Sequence, residues 1–498
     1  MHIHVVGVSG TGMGALAGLL VELGHEVTGS DVSFDPPIGP ALESWGVRCL
    51  SGYEARHLEP APDLVVVGNV CRSDNVEARA AIDQGLRTTH IAGALAEFAL
   101  PGSSSLVVAG THGKTTTTAM AAWLLETAGF GPGFLIGGVP KNFGRSFRAP
   151  RQQAPRAQTE PPRRARPFVL EGDEYDTAFF EKTAKFLHYG AEVAVITSIE
   201  HDHIDIYPNF ELYLDAFRAF VARVPERGLI VANTADAHVA ALVSENARAP
   251  VAWYGLEGDP IRGGRPEWLC APGEVSGATT GFDLHVGGVG AGRWMLPATG
   301  RHNLANATAA IAAAAQGYGA RLSELRSALG QFSGVRRRQD LLGCPGGVFV
   351  YDDFAHHPTA VRETLRALRQ RHPGARLLCV FEPRSATACR RLHQHDYPPS
   401  FEDADEVLLA PLGRSGLSPD EQLDLDVLCG DLTRRGTPAH RFTSIEQIVD
   451  AVAARAQPGN VVALLSNGAF GGIHAKVLRR LAPKDASQAP VNEDGAMS

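Results

Sequence analysis

The sequence predicts an α/β protein of three domains, and three observations predict it. The chain has 498 residues, more than a single hydrophobic core organises. Short apolar runs that read as buried strands alternate with helical patterns, which implies parallel sheets with crossover helices. Turns rich in glycine, carboxylate or histidine follow several of these runs directly, and strand ends of parallel sheets are where ligands gather.

The first domain is expected over 1–103, with strands at Ile3–Gly7, Glu26–Gly29 and Leu64–Gly68 and a helix over Ala15–Leu23. The second, 104–334, opens on the apolar run Ser105–Ala109, which reads as a buried strand. Inside it, residues 148–166 are rich in Arg, Pro and Gln and read as an exposed, flexible insertion. A β-rich excursion is expected near 250–297. The third domain, 335–484, should carry strands at Val348–Tyr351, Leu377–Phe381, Glu406–Leu409 and Val461–Leu465. Residues 485–498 are polar and read as a tail.

Composition excludes several classes of function. Apolar residues make up 44% and charged residues 20%, as in soluble globular proteins. A net charge of -8 gives no electrostatic case for nucleic acid, yet a local site can still bind an anion. Seven cysteines without a C-x-x-C spacing argue against a disulfide framework or a zinc site and for a reducing, cytoplasmic setting. The N-terminus begins a strand at once and does not resemble a signal peptide. No apolar run reaches the roughly 18 residues of a membrane span.

The strongest motif is Gly110-Thr111-His112-Gly113-Lys114-Thr115-Thr116-Thr117, between the expected strand and a helical run over Ala119–Leu125. Glycines let backbone N–H groups approach phosphate, and a helix N-terminus adds positive potential. Lys114 suits the β- and γ-phosphates of ATP, and Thr115 can place a hydroxyl on Mg²⁺. The usual additional glycine is missing, since Val108 stands in its place, so the loop is a shortened variant. Two clusters follow. Glu171-Gly172-Asp173-Glu174-Tyr175-Asp176 and Glu200-His201-Asp202-His203-Ile204-Asp205 each end a strand-like run and carry groups able to bind a hard cation. Either alone reads better as a charged turn; two after a phosphate loop do not.

Near the N-terminus, Gly7-Val8-Ser9-Gly10-Thr11-Gly12-Met13-Gly14 approaches the dinucleotide fingerprint, and Asp31 stands where an acidic residue meets a ribose hydroxyl. Taken alone this would suggest an NAD-dependent oxidoreductase, a reading that leaves the phosphate loop and both clusters without a task.

Together these residues resemble the Mur ligase family, over nearly the whole chain. The resemblance implies a Rossmann-like UDP-binding domain, a P-loop ATPase central domain and a Rossmann-like C-terminal domain. It implies that Gly10, Thr11, Gly12, Met13, Asp31 and Asn69 line the UDP-substrate pocket. ATP would be held by Gly110, Thr111, His112, Gly113, Lys114, Thr115 and Thr116. Gly300-Arg301-His302-Asn303-Leu304-Ala305-Asn306 resembles the adenine-side motif, with His302 and Asn303 as contacts. Phe332–Arg338 resembles the entry to the third domain, with Arg338 on the nucleotide phosphates. Tyr351–Pro358 matches the next motif, where Asp353 would meet the nucleotide and His356 and His357 the amino substrate. Thr115, Glu174 and His203 would hold Mg²⁺, and Lys114, Glu174 and His203 would form the catalytic group.

Each motif has a plainer alternative. Asn303 could cap a helix, and a His-His pair before Pro often starts one. Within the family the segments around Tyr175 and Arg384 favour a member that joins L-alanyl-γ-D-glutamyl-meso-diaminopimelate to UDP-N-acetylmuramate over one that adds L-alanine. Arg384 is then expected on a peptide carboxylate, because a guanidinium fork suits that shape. Gly172 replaces the family's usual Ala, and the 148–166 insertion is extra. A monomer is the expected state.

Overall fold

The computed structural model describes residues 1–35, 38–151 and 165–483. The chain divides into two units between Arg336 and Arg337. In the first unit, His2–Val6 (β1), Glu26–Asp31 (β2), Arg48–Ser51 (β3), Leu64–Val67 (β4) and Thr88–His90 (β5) form a parallel sheet in the order β3-β2-β1-β4-β5. Ile3, His4, Val5 and Val6 are all fully buried, as a central strand covered on both faces requires. The order reverses beside β1, so the loops after β1 and β4 flank a crevice at the strands' C-terminal ends. The expected helix runs Thr11–Glu22 and starts early because Gly10 is already its cap. Strands β3 and β5 escaped the sequence reading, being short edge strands with the polar sequences RCLS and TTH.

A ten-stranded sheet follows in the same unit. Its strands are Ser103–Ala109 (β6), Gly133–Leu135 (β7), Phe147–Arg148 (β8), Arg166–Glu171 (β9), Val193–Ile196 (β10), Leu229–Asn233 (β11), Val251–Leu256 (β12), Trp268–Ser276 (β13), Thr279–Val286 (β14) and Val289–Leu296 (β15). They lie in the order β15-β14-β13-β12-β11-β10-β6-β9-β7-β8. β12 to β15 are the β-rich excursion expected near 250–297. The register is what makes the site: Val108 of β6 pairs with Glu171 of β9, and Ala109 with Ile196 of β10. The phosphate loop and both acidic clusters therefore leave the sheet side by side.

The exposed insertion expected over 148–166 is overturned at its first residue, while its last, Arg166, is exposed but already belongs to a strand. Arg148 closes β8 and is buried, held by Glu126 through two hydrogen bonds of 3.0 and 2.6 Å and by Pro132 O at 2.9 Å. Arg166 opens β9. The remainder, 152–164, lies outside the described residues, as does the tail over 485–498.

In the second unit, Asp340–Gly343 (β16), Phe349–Asp353 (β17), Leu377–Phe381 (β18), Glu406–Leu409 (β19), Ala439–Arg441 (β20) and Val461–Leu465 (β21) form a sheet in the order β16-β17-β21-β18-β19-β20. All pairs are parallel except β16 with β17. The four strands read from the sequence are the four at its centre, each an apolar run that both faces bury.

Candidate active site

The phosphate loop runs from β6 into the helix Lys114–Thr127. Gly110 and Gly113 hold φ of 132° and 82°, backbone that favours glycine. A Cβ on Gly110 would strike Thr197, and one on Gly113 would strike Asn306. Asn306 thereby brings the 300–306 motif against the loop. Thr111 and His112 are tied to the neighbouring strand end: Thr111 Oγ1 donates to Glu200 O at 2.9 Å, and His112 Nε2 lies 3.0 Å from Glu200 Oε2.

Lys114 Nζ donates to Gly110 O at 2.5 Å and to Glu174 Oε1 at 2.9 Å. The same Glu174 oxygen meets His203 Nε2 at 3.0 Å and Tyr213 OH at 3.2 Å. Glu174 is fully buried; burial would raise its pKa, but Lys114 and His203 outweigh that and hold it at about 2. Burial would likewise lower Lys114 and His203, yet Glu174 raises the first, and Asp202 with Glu174 raises the second. Lys114, Glu174 and His203 thus stabilise one another in charged form. His203 adopts φ 55°, a strained setting for a non-glycine residue, and its ring lies 4.2 Å from that of Tyr175.

The donor set fits a hard cation at Glu174. Its second carboxylate oxygen is buried with no hydrogen-bond partner among the described residues. Thr115 Oγ1 donates to Glu171 Oε1 at 2.8 Å, so the proton points to the carboxylate and the oxygen is the atom a cation would meet. Glu171 Oε2 accepts from Gly137 N at 2.7 Å. Sequence reasoning quoted Glu171 without giving it this orienting part; its level with Val108 in the sheet is the feature that sets it there. The imidazole of His203 suits Mg²⁺ less well than oxygen ligands do. A second group, His90, Glu181 and His188, has metal-like spacing. His90 Nδ1, however, accepts Gly93 N at 3.1 Å, which puts the proton on Nε2, where it meets Glu181 at 3.1 Å; this is a hydrogen-bonded contact rather than a metal cradle.

At the N-terminal sheet, Gly10, Thr11 and Gly12 are exposed, and the helix they open has no side-chain cap, so its N-terminus is available to an anion. Met13 is buried against Gly68, beside the exposed Asn69. Asp31 uses both oxygens on backbone, accepting Ser9 N at 2.8 Å and Val32 N at 2.7 Å, while Tyr53 OH reaches it at 3.2 Å. It holds the glycine loop in shape.

His302 and Asn303 lie in the first turn of the helix Arg301–Ala312, whose cap is Gly300. Asn303 is not the cap: it is buried and donates back to Thr299 O at 2.8 Å. In the second unit, Asp353 is buried and accepts Gln339 N at 2.7 Å and Ala355 N at 2.8 Å; burial raises its pKa although Arg338 opposes this. Arg338 lies over the Phe354 ring at 4.7 Å. His357 is the cap of the helix Pro358–Arg371, its Nδ1 accepting Thr359 N at 3.3 Å, so the plainer reading of the His-His pair holds for it. His356 Nδ1 donates to Phe354 O at 3.0 Å. Arg384 keeps a half-exposed head.

Comparison with known proteins agrees with this geometry. Three family models match in succession: the Mur ligase family catalytic domain over 2–101, the Mur ligase middle domain over 108–314, and the Mur ligase glutamate ligase domain over 337–468. UDP-N-acetylmuramate--L-alanyl-gamma-D-glutamyl-meso-2,6-diaminoheptandioate ligase of Escherichia coli K12 is 38% identical, over 97% of this chain and 99% of the relative. UDP-N-acetylmuramate--L-alanine ligase of Roseiflexus sp. RS-1 is 33% identical, over 94% of this chain and 96% of the relative. Among solved structures, a murein peptide ligase from Psychrobacter arcticus 273-4 superposes with TM-score 0.71 at 33% identity, covering 97% of this chain and 98% of that one. Successive matches along the chain, with relatives above 30% identity over nearly its full length, show that the chain belongs to the Mur ligase family.

Proposed function

We propose that the protein joins L-alanyl-γ-D-glutamyl-meso-diaminopimelate to UDP-N-acetylmuramate, using ATP and releasing ADP and phosphate. As a Mur ligase it is an ATP-dependent, amide-forming enzyme. The observation that carries the chemistry is the buried Lys114–Glu174–His203 group directly below the phosphate loop. The tripeptide is supported by the 38% relative, which is named for that substrate. L-Alanine as the amine is the second reading, favoured by the 33% relative named for it.

In this reading the domains are 1–103 for the UDP substrate, 104–334 for ATP and 335–484 for the amine. The open helix N-terminus at Gly10–Met13 takes the UDP diphosphate, with Asp31 shaping the loop and Asn69 at the crevice wall. Lys114 leaves Gly110 O to meet the γ-phosphate, and His302, Asn303, Arg338 and Asp353 serve the nucleotide. The lactyl carboxylate attacks the γ-phosphorus, and ADP departs. The peptide amine then attacks the acyl carbon, and phosphate leaves with one carboxylate oxygen. Charge neutralisation is the main demand when anion meets anion. Mg²⁺, where bound, would be held by Thr115 and Glu174, and by His203 once its imidazole is neutral, and would screen the phosphate charge. Arg384, His356 and His357 would serve the peptide. Seven unbonded cysteines and the absence, among the described residues, of a helix long and apolar enough to cross a membrane agree with work in the cytoplasm.

Isotope transfer tests the route. With ¹⁸O in the lactyl carboxylate, one labelled oxygen should appear in the released phosphate. Unlabelled phosphate accompanied by amide product would sink the acyl-phosphate step.

A further inference from the structure

Resting on the reading of Arg384 as the carboxylate contact of the amine substrate, we infer that Glu382, fixed by Ser466, is the positioning residue that aims Arg384. Glu382 follows β18 and is buried, with its N–H donating to Leu465 O at 3.0 Å. Its Oε2 accepts the Ser466 hydroxyl, and Ser466 Oγ in turn accepts Gly468 N at 2.9 Å. Arg337 clamps that loop from the other side, donating through Nη2 to Ser466 O and Gly468 O at 2.7 Å each. Arg337 is anchored by Asp352, whose Oδ2 lies 3.3 Å from Nε.

The remaining Glu382 oxygen, Oε1, lies 3.7 Å from Arg384 Nη1. That is close enough for attraction and too long for a hydrogen bond. The Arg384 stem lies in a slot between two glycines, since a Cβ on either Gly413 or Gly468 would strike it. The guanidinium makes no hydrogen bond among the described residues, and the side chain is 41% exposed. A stem held in a slot, a head steered by one buried charge, and donors left unspent describe an arginine prepared to pair with an incoming carboxylate.

The test compares acid and amide forms of the amine substrate. The tripeptide and derivatives with its carboxylates amidated one at a time are assayed against wild type, Arg384→Ala, Glu382→Gln and Ser466→Ala. Wild type should prefer the free acid at one carboxylate by about tenfold or more in kcat/KM. Arg384→Ala should erase that preference. Glu382→Gln and Ser466→Ala should erase most of it by raising KM for the acid, with KM for ATP unchanged. Glu382→Gln and Ser466→Ala proteins that keep the full preference while losing thermal stability would overturn the inference and leave the pair a structural prop. A wild type indifferent to every carboxylate would overturn it through Arg384. If the enzyme uses L-alanine and no peptide, the functional reading fails separately, and L-alanine against L-alaninamide decides the inference by the same criteria.

Discussion

Lys114 and Glu174 form a buried ion pair, and removing one partner of such a pair costs about 3–5 kcal/mol by leaving the other unpaired. Lys114→Ala should therefore destabilise the free protein as well as lower kcat by about a thousandfold, the scale for losing a preorganised charge on a transferring phosphoryl group. Chemical denaturation and phosphate release check the two parts. Glu174 contributes to the acid limb of stability. Its pKa falls from the ordinary 4.5 to about 2 on folding, so its contribution is full above about 4.5 and is lost as pH drops towards 2. Glu174→Gln should be less stable at neutral pH and should lose stability less steeply between about pH 4.5 and 2, followed by urea midpoints. Equal acid slopes in both proteins would contradict the assignment. Lys114 and the two clusters that contain Glu174 and His203 were legible in the sequence because each follows an apolar run, while the choice of Glu174 and His203 within them came from the family resemblance. Glu171 as the partner of Thr115, and Tyr213 as a third donor to Glu174, were not: both depend on register and helix placement that only the folded sheet supplies.

At the scale of elements, the strands that carry the site were readable because burial on both faces forces continuous apolar runs, as in Val193–Ile196 and Val461–Leu465. Thr88–His90 was not readable, since an edge strand needs no such run. Arg148 was hidden by its company: a basic, proline-rich neighbourhood suggests solvent, while its partner Glu126 lies on the phosphate-loop helix. Arg148→Ala should cost about 1.5–3 kcal/mol through the lost charged hydrogen bonds to that carboxylate, measurable as a lower urea midpoint. Gly113→Ala should raise KM for ATP and lower the thermal midpoint, since φ 82° costs about 1–2 kcal/mol with a side chain and the new methyl meets Asn306. An unchanged KM for ATP would mean the loop is not the phosphate site. His357 shows that a motif residue can carry a structural task the motif does not announce, because its Nδ1 caps a helix.

For the whole molecule, the order of motifs along the chain decides more than any one of them. A glycine turn after β1, a phosphate loop after β6 and acidic strand ends beside it each have a plain structural explanation. Their succession has a single chemical one, in which a nucleotide-linked acid, ATP and an amine are handled in turn. Which amine is the point on which the related chains divide, and in the proposed reading the segments around Tyr175 and Arg384 decide it. Phosphate release from ATP with Mg²⁺ and UDP-N-acetylmuramate, compared with tripeptide, with L-alanine and with no amine, tests this most directly. The account predicts release with the tripeptide and little with L-alanine; strong release with L-alanine and none with the tripeptide would contradict it.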